Sequence, residues 1–199
     1  MFRKGLVMGW LVLLFTGIAT MFWYYDWIYK LPTPIPENYQ PVVTGSTVDL
    51  GDQIQSPDGK PVFVHFYNPD CPCSRFNKKH FKSLVQQYGR DVHFVVVVMS
   101  EKTFTPEAIR RKMGVDLPVL FDKSIADRCG VYSTPQAALL DQHSRLYYRG
   151  NFNASRYCSD EKTAYAKLAL AGLLNSQQRV AFGDLAQRSY GCSLPVCKN

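Results

Sequence analysis

From Gly5 to Tyr25 the chain carries no charged residue, and that run constrains the fold more than any other feature. As a helix it rises about 30 Å, the thickness of a bilayer's hydrocarbon core. Arg3 and Lys4 precede it, and Trp23, Tyr24, Tyr25 and Trp27 gather at its far end, where amphipathic rings favour the interface. Basic residues at the start keep the N-terminus cytoplasmic, so everything after Lys30 is expected across the membrane. A cleaved signal peptide is the rival reading. Such peptides have a shorter apolar core and end at a small-x-small site, whereas bulky aromatics follow Ala19 here. A retained single-pass anchor in the inner (cytoplasmic) membrane is therefore expected, with a soluble part on the periplasmic or extracytoplasmic side.

Of the net charge of +7, the soluble part keeps +5, with 20 basic and 15 acidic residues. With no nucleic-acid motif, this marks a mildly basic solvated surface and excludes a nucleic-acid partner. Six cysteines in an exported chain predict disulfides or redox work.

Three segments are expected. Residues 1–30 form the anchor. Residues 31–60 form a Pro-rich spacer, with proline at alternating positions 32, 34 and 36, and a turn-rich lead-in ending near Asp58 and Gly59. Residues 61–199 form the domain with its cysteine-containing tail. Val62 to Tyr67 reads as a buried strand, followed by a loop from Asn68 to Ser74 and a helix to Tyr88 that Gly89 ends. Phe81, Leu84, Val85 and Tyr88 make the helix's core stripe. Val92 to Met99 is a near-continuous apolar run, as in a strand covered on both faces. Thr105 and Pro106 open a helix to Met113. Val119 to Phe121 reads as a short strand and Lys123 to Cys129 as a helical turn. Residues 136–140 and 146–149 form a hairpin around Asp141 to Ser144. Ser159 is expected to cap a final helix to Leu174. The order βαβα, hairpin, helix implies an α/β fold with a mixed sheet.

Cys71 falls where a strand meets a helix, and the unsatisfied amides there favour a thiolate. Arg75, Lys78, Lys79 and Lys82 follow at helical spacing and are expected to add positive potential, while Asp70 opposes it. Phe66 to Phe76, with Cys71-Pro72-Cys73-Ser74 at its centre, resembles the strand–Cys-x-x-Cys–helix element of the thioredoxin superfamily. Gly130 to Asp141 resembles its second signature, in which a cis proline packs beside the active-site cysteines; Thr134 and Pro135 match those positions. The resemblance runs from Pro61 to Leu174 and implies a thioredoxin-like mixed sheet flanked by helices, preceded here by one transmembrane helix. It also implies thiol–disulfide exchange with protein thiols and disulfides. The pattern departs from the family at Ser74, which stands in place of the second cysteine, and at Asp70, which stands in place of a tryptophan.

Three mechanisms follow, in order of preference. Cys71 attacks and Cys73 resolves, through a small and readily reduced ring; or Cys71 is resolved by a distant cysteine such as Cys129 or Cys158; or the thiols carry a soft metal such as copper(I). For the third, Cys71, Cys73 and His143 are the candidate ligands, and the protein would be a thioredoxin-like copper or thiol carrier. A non-catalytic binding module is the remaining alternative. His80 and His93 have no ligand partner by spacing, and Asn68 stands where a peroxiredoxin requires Thr or Ser. Cys129, Cys158, Cys192 and Cys197 are expected to be structural, with Cys158 bridging to Cys192 or Cys197 as one way to tie down the tail.

Overall fold

The computed structural model describes residues 2–28, 31–54, 56, 58–155, 157–175 and 180–193. These fall into two compact units, residues 1–31 and 32–199. The first is the helix α1, Phe2–Ile28. Its stretch Arg3–Trp27 has mean hydropathy 2.0 with none of it buried, so it is long and apolar enough to cross a membrane.

The second unit is built on a sheet of five strands: β1 (Val62–Tyr67), β2 (His93–Val98), β3 (Val119–Leu120), β5 (Gln136–Leu140) and β6 (Leu146–Gly150), ordered β3-β2-β1-β5-β6. β1, β2 and β3 run parallel, whereas β5 lies antiparallel to both β1 and β6. The helices are α2 (Pro72–Tyr88), α3 (Pro106–Met113), α4 (Ser124–Arg128), α5 (Tyr165–Leu174) and α6 (Asp184–Gln187). β1 is central and buried along its whole length, so its alternating side chains feed two cores. Phe63 and Tyr67 join Phe81 and Leu84 of α2 with Ala169 and Leu170 of α5. Val62, Val64 and Phe66 face Ile125, Ala126 and Cys129 around α4. This is a thioredoxin-like α/β fold with a mixed sheet flanked by helices.

The apolar runs and the turn signals placed most elements as expected, and the differences are local. The final helix is not capped by Ser159. Asp160 instead accepts from the Lys162 amide and caps a 3-10 turn, Glu161–Thr163, before α5 begins at Tyr165. Gly89 does end α2, but with φ −65°, so the reason is space rather than handedness. A Cβ there would stand 2.5 Å from the Val85 carbonyl oxygen.

The lead-in from residue 32 to residue 54 touches the domain at several points. Val48, Leu50 and Ile54 are buried in the second core, Tyr39 donates from its hydroxyl to the Gly130 carbonyl at 3.0 Å, and Pro32 forms a β-bridge with Tyr190. Two short strands that the sequence did not announce, β4 (Ser133–Thr134) and β7 (Cys192–Ser193), pair antiparallel beside the main sheet.

Two residues of this architecture invite direct tests. Gly150 has φ +158°, and a Cβ there would collide with the Ala186 carbonyl oxygen and stand 2.8 Å from the Tyr148 hydroxyl. Gly150→Ala should destabilise the domain by about 1–3 kcal/mol through overpacking, read as a lowered unfolding midpoint of the full-length protein in detergent.

His65 is fully buried, stacked on Phe81 at 4.3 Å and edge-on to Phe152 at 4.9 Å. Burial lowers its pKa from 6.5 to about 3, against a weaker opposing contribution from the Gln136 backbone. The folded state therefore refuses a proton that the unfolded chain accepts below about pH 6.5. The full stability is present above that pH and is lost as pH falls toward 3, by up to about 1.4 kcal/mol per unit. His65→Phe should flatten this acid limb in unfolding midpoints measured from pH 7 to 4; an unchanged slope would remove His65 as its source.

Candidate active site

The site is built where β1 ends and α2 begins. Asn68 folds the chain back on itself: its side-chain oxygen accepts from the Asp70 amide at 2.9 Å, and its carbonyl accepts from the Cys71 amide at 3.1 Å. The hydroxyl of Ser74 accepts from the Asn68 amide at 3.3 Å, tying the first turn of α2 to the end of the strand. Cys71 is thereby the N-cap residue, with extended backbone, and Pro72 fills the first helical position.

Cys71 is bonded to Cys192 in a disulfide with Cα atoms 6.4 Å apart. The expected partner, Cys73, is not the one it uses. Cys73 sits two residues on, buried within the first turn of α2. The Thr134–Pro135 peptide is cis, as the family resemblance implied. Thr134 stands opposite Cys192 in the β4–β7 ladder, and its carbonyl oxygen lies 3.6 Å from the Cys71 sulfur. That oxygen is a contact while the sulfur is in the disulfide and an acceptor for the thiol once the bond opens. Cys71 and Thr134 thus come together, with Pro135 next in the chain, and Cys192 joins them from a tail read as structural.

The tail is held from several sides. The Gln136 side-chain amide donates to the Ser189 hydroxyl at 2.8 Å, and the Asn151 amide donates to the carbonyls of Leu185 and Arg188 at 3.0 and 2.7 Å. The Thr33 amide donates to the Ser189 carbonyl at 2.8 Å, and its hydroxyl to the Gly191 carbonyl at 3.3 Å.

Cys73 lies buried one helical turn before Asn77. The Cys158 thiol donates to the Asn77 side-chain oxygen at 3.1 Å, on the helix face that Cys73 shares. Burial, with Cys73 nearby as a smaller cause, pushes the Cys158 thiol up to about 12. A bridge from Cys158 to Cys192 is excluded by the Cys71 bond. Cys197 lies outside the described residues. Cys129 is a free thiol in the second core, where burial pushes it up to about 12, so it is a packing residue rather than a resolving one.

The charges differ from expectation as well. Lys78 points to the end of α3, donating to the Lys112 carbonyl at 2.7 Å, so its ammonium serves that helix and not the thiol. Asp70 is partly neutralised by Lys102 at 3.2 Å and approached by the Ser100 hydroxyl at 3.4 Å.

The copper alternative loses its third ligand. β1 and β5 pair with Phe66 opposite Gln136 and Val62 opposite Leu140. His143, in the turn after Leu140, therefore sits at the end of the sheet where β1 begins, while Cys71 follows its other end. A strand of 6 residues, about 20 Å, separates them. Among the described residues no group of three or more His, Cys, Asp or Glu side chains is placed to hold a metal ion.

Comparison with known proteins gives the same outline. Over 97 residues the chain is 24% identical to the thiol-disulfide oxidoreductase ResA of Halalkalibacterium halodurans; the match covers 47% of this chain and about half, 55%, of that protein. Two solved structures are similar in fold. A hypothetical protein from Sinorhizobium meliloti 1021 has TM-score 0.62 at 21% identity, covering 79% of this chain and 96% of the other. An uncharacterized conserved protein from Geobacillus kaustophilus has TM-score 0.59 at 20% identity, covering 81% and 97%. Residues 41–197, which span nearly the whole domain and both halves of the Cys71–Cys192 bond, match a family described as "Domain of unknown function (DUF6436)", and the chain belongs to that family.

Proposed function

We propose that this protein is a membrane-tethered thiol–disulfide oxidoreductase that acts on protein thiols or disulfides on the extracytoplasmic side of the inner membrane. The observation that carries the reading is the Cys71–Cys192 disulfide, seated at a helix N-terminus against the Thr134–Pro135 corner. A thiolate at that cap gains from the helix's unsatisfied amides. The match to a named oxidoreductase over 97 residues supports it. The apolar helix α1 supplies the tether.

Cys71 is the nucleophile in this reading. In the reducing direction the Cys71 thiolate attacks one sulfur of a substrate disulfide. A Cys71–substrate bond forms, and the other substrate sulfur leaves as a thiolate. The Cys192 thiolate then attacks the Cys71 sulfur, restores the intramolecular bond and releases the second substrate thiolate. Two electrons pass from the protein dithiol to the substrate, and the reverse sequence oxidises a substrate dithiol. Cys192 takes the resolving role because it is the cysteine bonded to the Cys71 sulfur. Thr134 offers its carbonyl to the Cys71 thiol, and Pro135 walls the site.

Full-length protein in detergent, equilibrated in glutathione buffers, alkylated and mapped by mass spectrometry, should show a reversible 71–192 bond. Its potential should fall in the range of known oxidoreductases, about −120 to −270 mV. Cys73→Ser should keep that bond. Cys71→Ser should abolish exchange with a peptide disulfide, and Cys192→Ser should accumulate the Cys71–peptide mixed disulfide. Accumulation in Cys73→Ser instead would give the resolving role to Cys73.

A further inference from the structure

The Cys71–Cys192 disulfide is almost inaccessible. Cys71 is 0% exposed and Cys192 is 3% exposed, so no protein thiol can reach either sulfur in the conformation described. One half of the bond belongs to the chain's own segment 190–193. It lies antiparallel along β4, with Cys192 opposite Thr134. Gly191 has φ +119°, and a Cβ there would stand 2.5 Å from the Thr134 carbonyl oxygen, so the close approach depends on glycine. The segment is clasped from the far side by residues just after the anchor, through the Pro32–Tyr190 bridge and the Thr33 bonds to Ser189 and Gly191. Before it the chain is fixed as far as Ser189, which is buried and bonded to Gln136.

We infer that residues 190–193 are an internal pseudo-substrate: a cysteine-bearing strand that occupies the edge of β4 and seals the Cys71 sulfur, so that exchange with any protein partner requires it to lift. The inference rests on the oxidoreductase reading and adds its regulation. An incoming partner must offer what the tail offers, an extended segment that pairs with Ser133 and Thr134 and presents a cysteine opposite Thr134. Partner and tail exclude each other from that edge. The return of β7 both displaces the partner's backbone and delivers the Cys192 sulfur. The clasp at Thr33 couples the gate to the lead-in that follows α1.

Reduction by a phosphine reads the gate directly. Tris(2-carboxyethyl)phosphine attacks one disulfide sulfur, and water completes the reaction to phosphine oxide and two thiols, counted by alkylation and mass spectrometry. In full-length oxidised protein in detergent, the rate should level off as phosphine rises, because opening of residues 190–193 limits it. Gly191→Val should remove the plateau and speed reduction at least tenfold, and Thr33→Val should speed it at least twofold with both cysteines intact. If Gly191→Val fails to form the bond, Thr33→Val decides alone. A wild-type rate that stays linear in phosphine, with the variants within twofold of it, would overturn the gate. The underlying reading fails separately: gated reduction, combined with no exchange between reduced Gly191→Val or Thr33→Val protein and a peptide disulfide at Cys71, would leave a sealed structural bridge and no oxidoreductase.

Discussion

The turn from Asn68 to Ser74 fixes where everything reactive can be. β1 is buried on both faces and cannot shift without exposing two cores, so its end is a rigid point. Asn68 reverses the chain there with its own side chain, and Ser74 closes the turn from the helix side. The sulfur of Cys71 is thereby delivered to the positive end of α2 and to the Thr134 carbonyl. Cys73, on the same turn, is delivered somewhere else. One backbone geometry therefore separates two cysteines that are neighbours but one in sequence and gives them different surroundings.

The second half of the site depends on buried amides. Gln136 and Asn151 lie on and just after neighbouring strands, and between them they bond Ser189, Leu185 and Arg188. Buried amide donors of this kind are costly unless paired, and here the tail's carbonyls and the Ser189 hydroxyl pair with them. The hydroxyl of Tyr148 adds donation to the Asn151 carbonyl at 2.6 Å. The tail is thus pinned to the domain at Ala186 and Ser189, both buried, before it reaches the β7 strand. That pinning lets Cys192 sit on a short, directed arm rather than on a loose end.

The sheet and its helices were legible in the sequence because their signals are local. β-branched and aromatic runs gave β1 and β2, and Thr105 with Pro106 gave α3. The approach of Thr134 to Cys71 was legible through the resemblance of two motifs to a known family. The partner of Cys71 was not. A disulfide joining residues 121 apart is set by tertiary packing, and the Gly191-Cys192-Ser193 tail carries no periodicity that says which thiol it meets. β4 and β7 were missed for the same reason, since two-residue strands leave no alternation to read. The Pro-rich lead-in gave no sign of its contacts, because an extended segment lies along a surface as readily as it spans a gap. His143 failed as a ligand because nothing local reveals which end of a sheet a hairpin turn occupies.

The separation of 121 residues between the bonded cysteines also shapes how the molecule is made. A ribosome adding roughly 5–20 residues per second takes on the order of ten seconds to travel from Cys71 to Cys192. Throughout that interval Cys71 has emerged without its native partner, while Cys73, Cys129 and Cys158 precede Cys192 in the chain. Six thiols admit fifteen complete pairings. Enclosing Cys129 in the core removes one contender early, so the order in which the core closes edits the pairing before the last strand arrives.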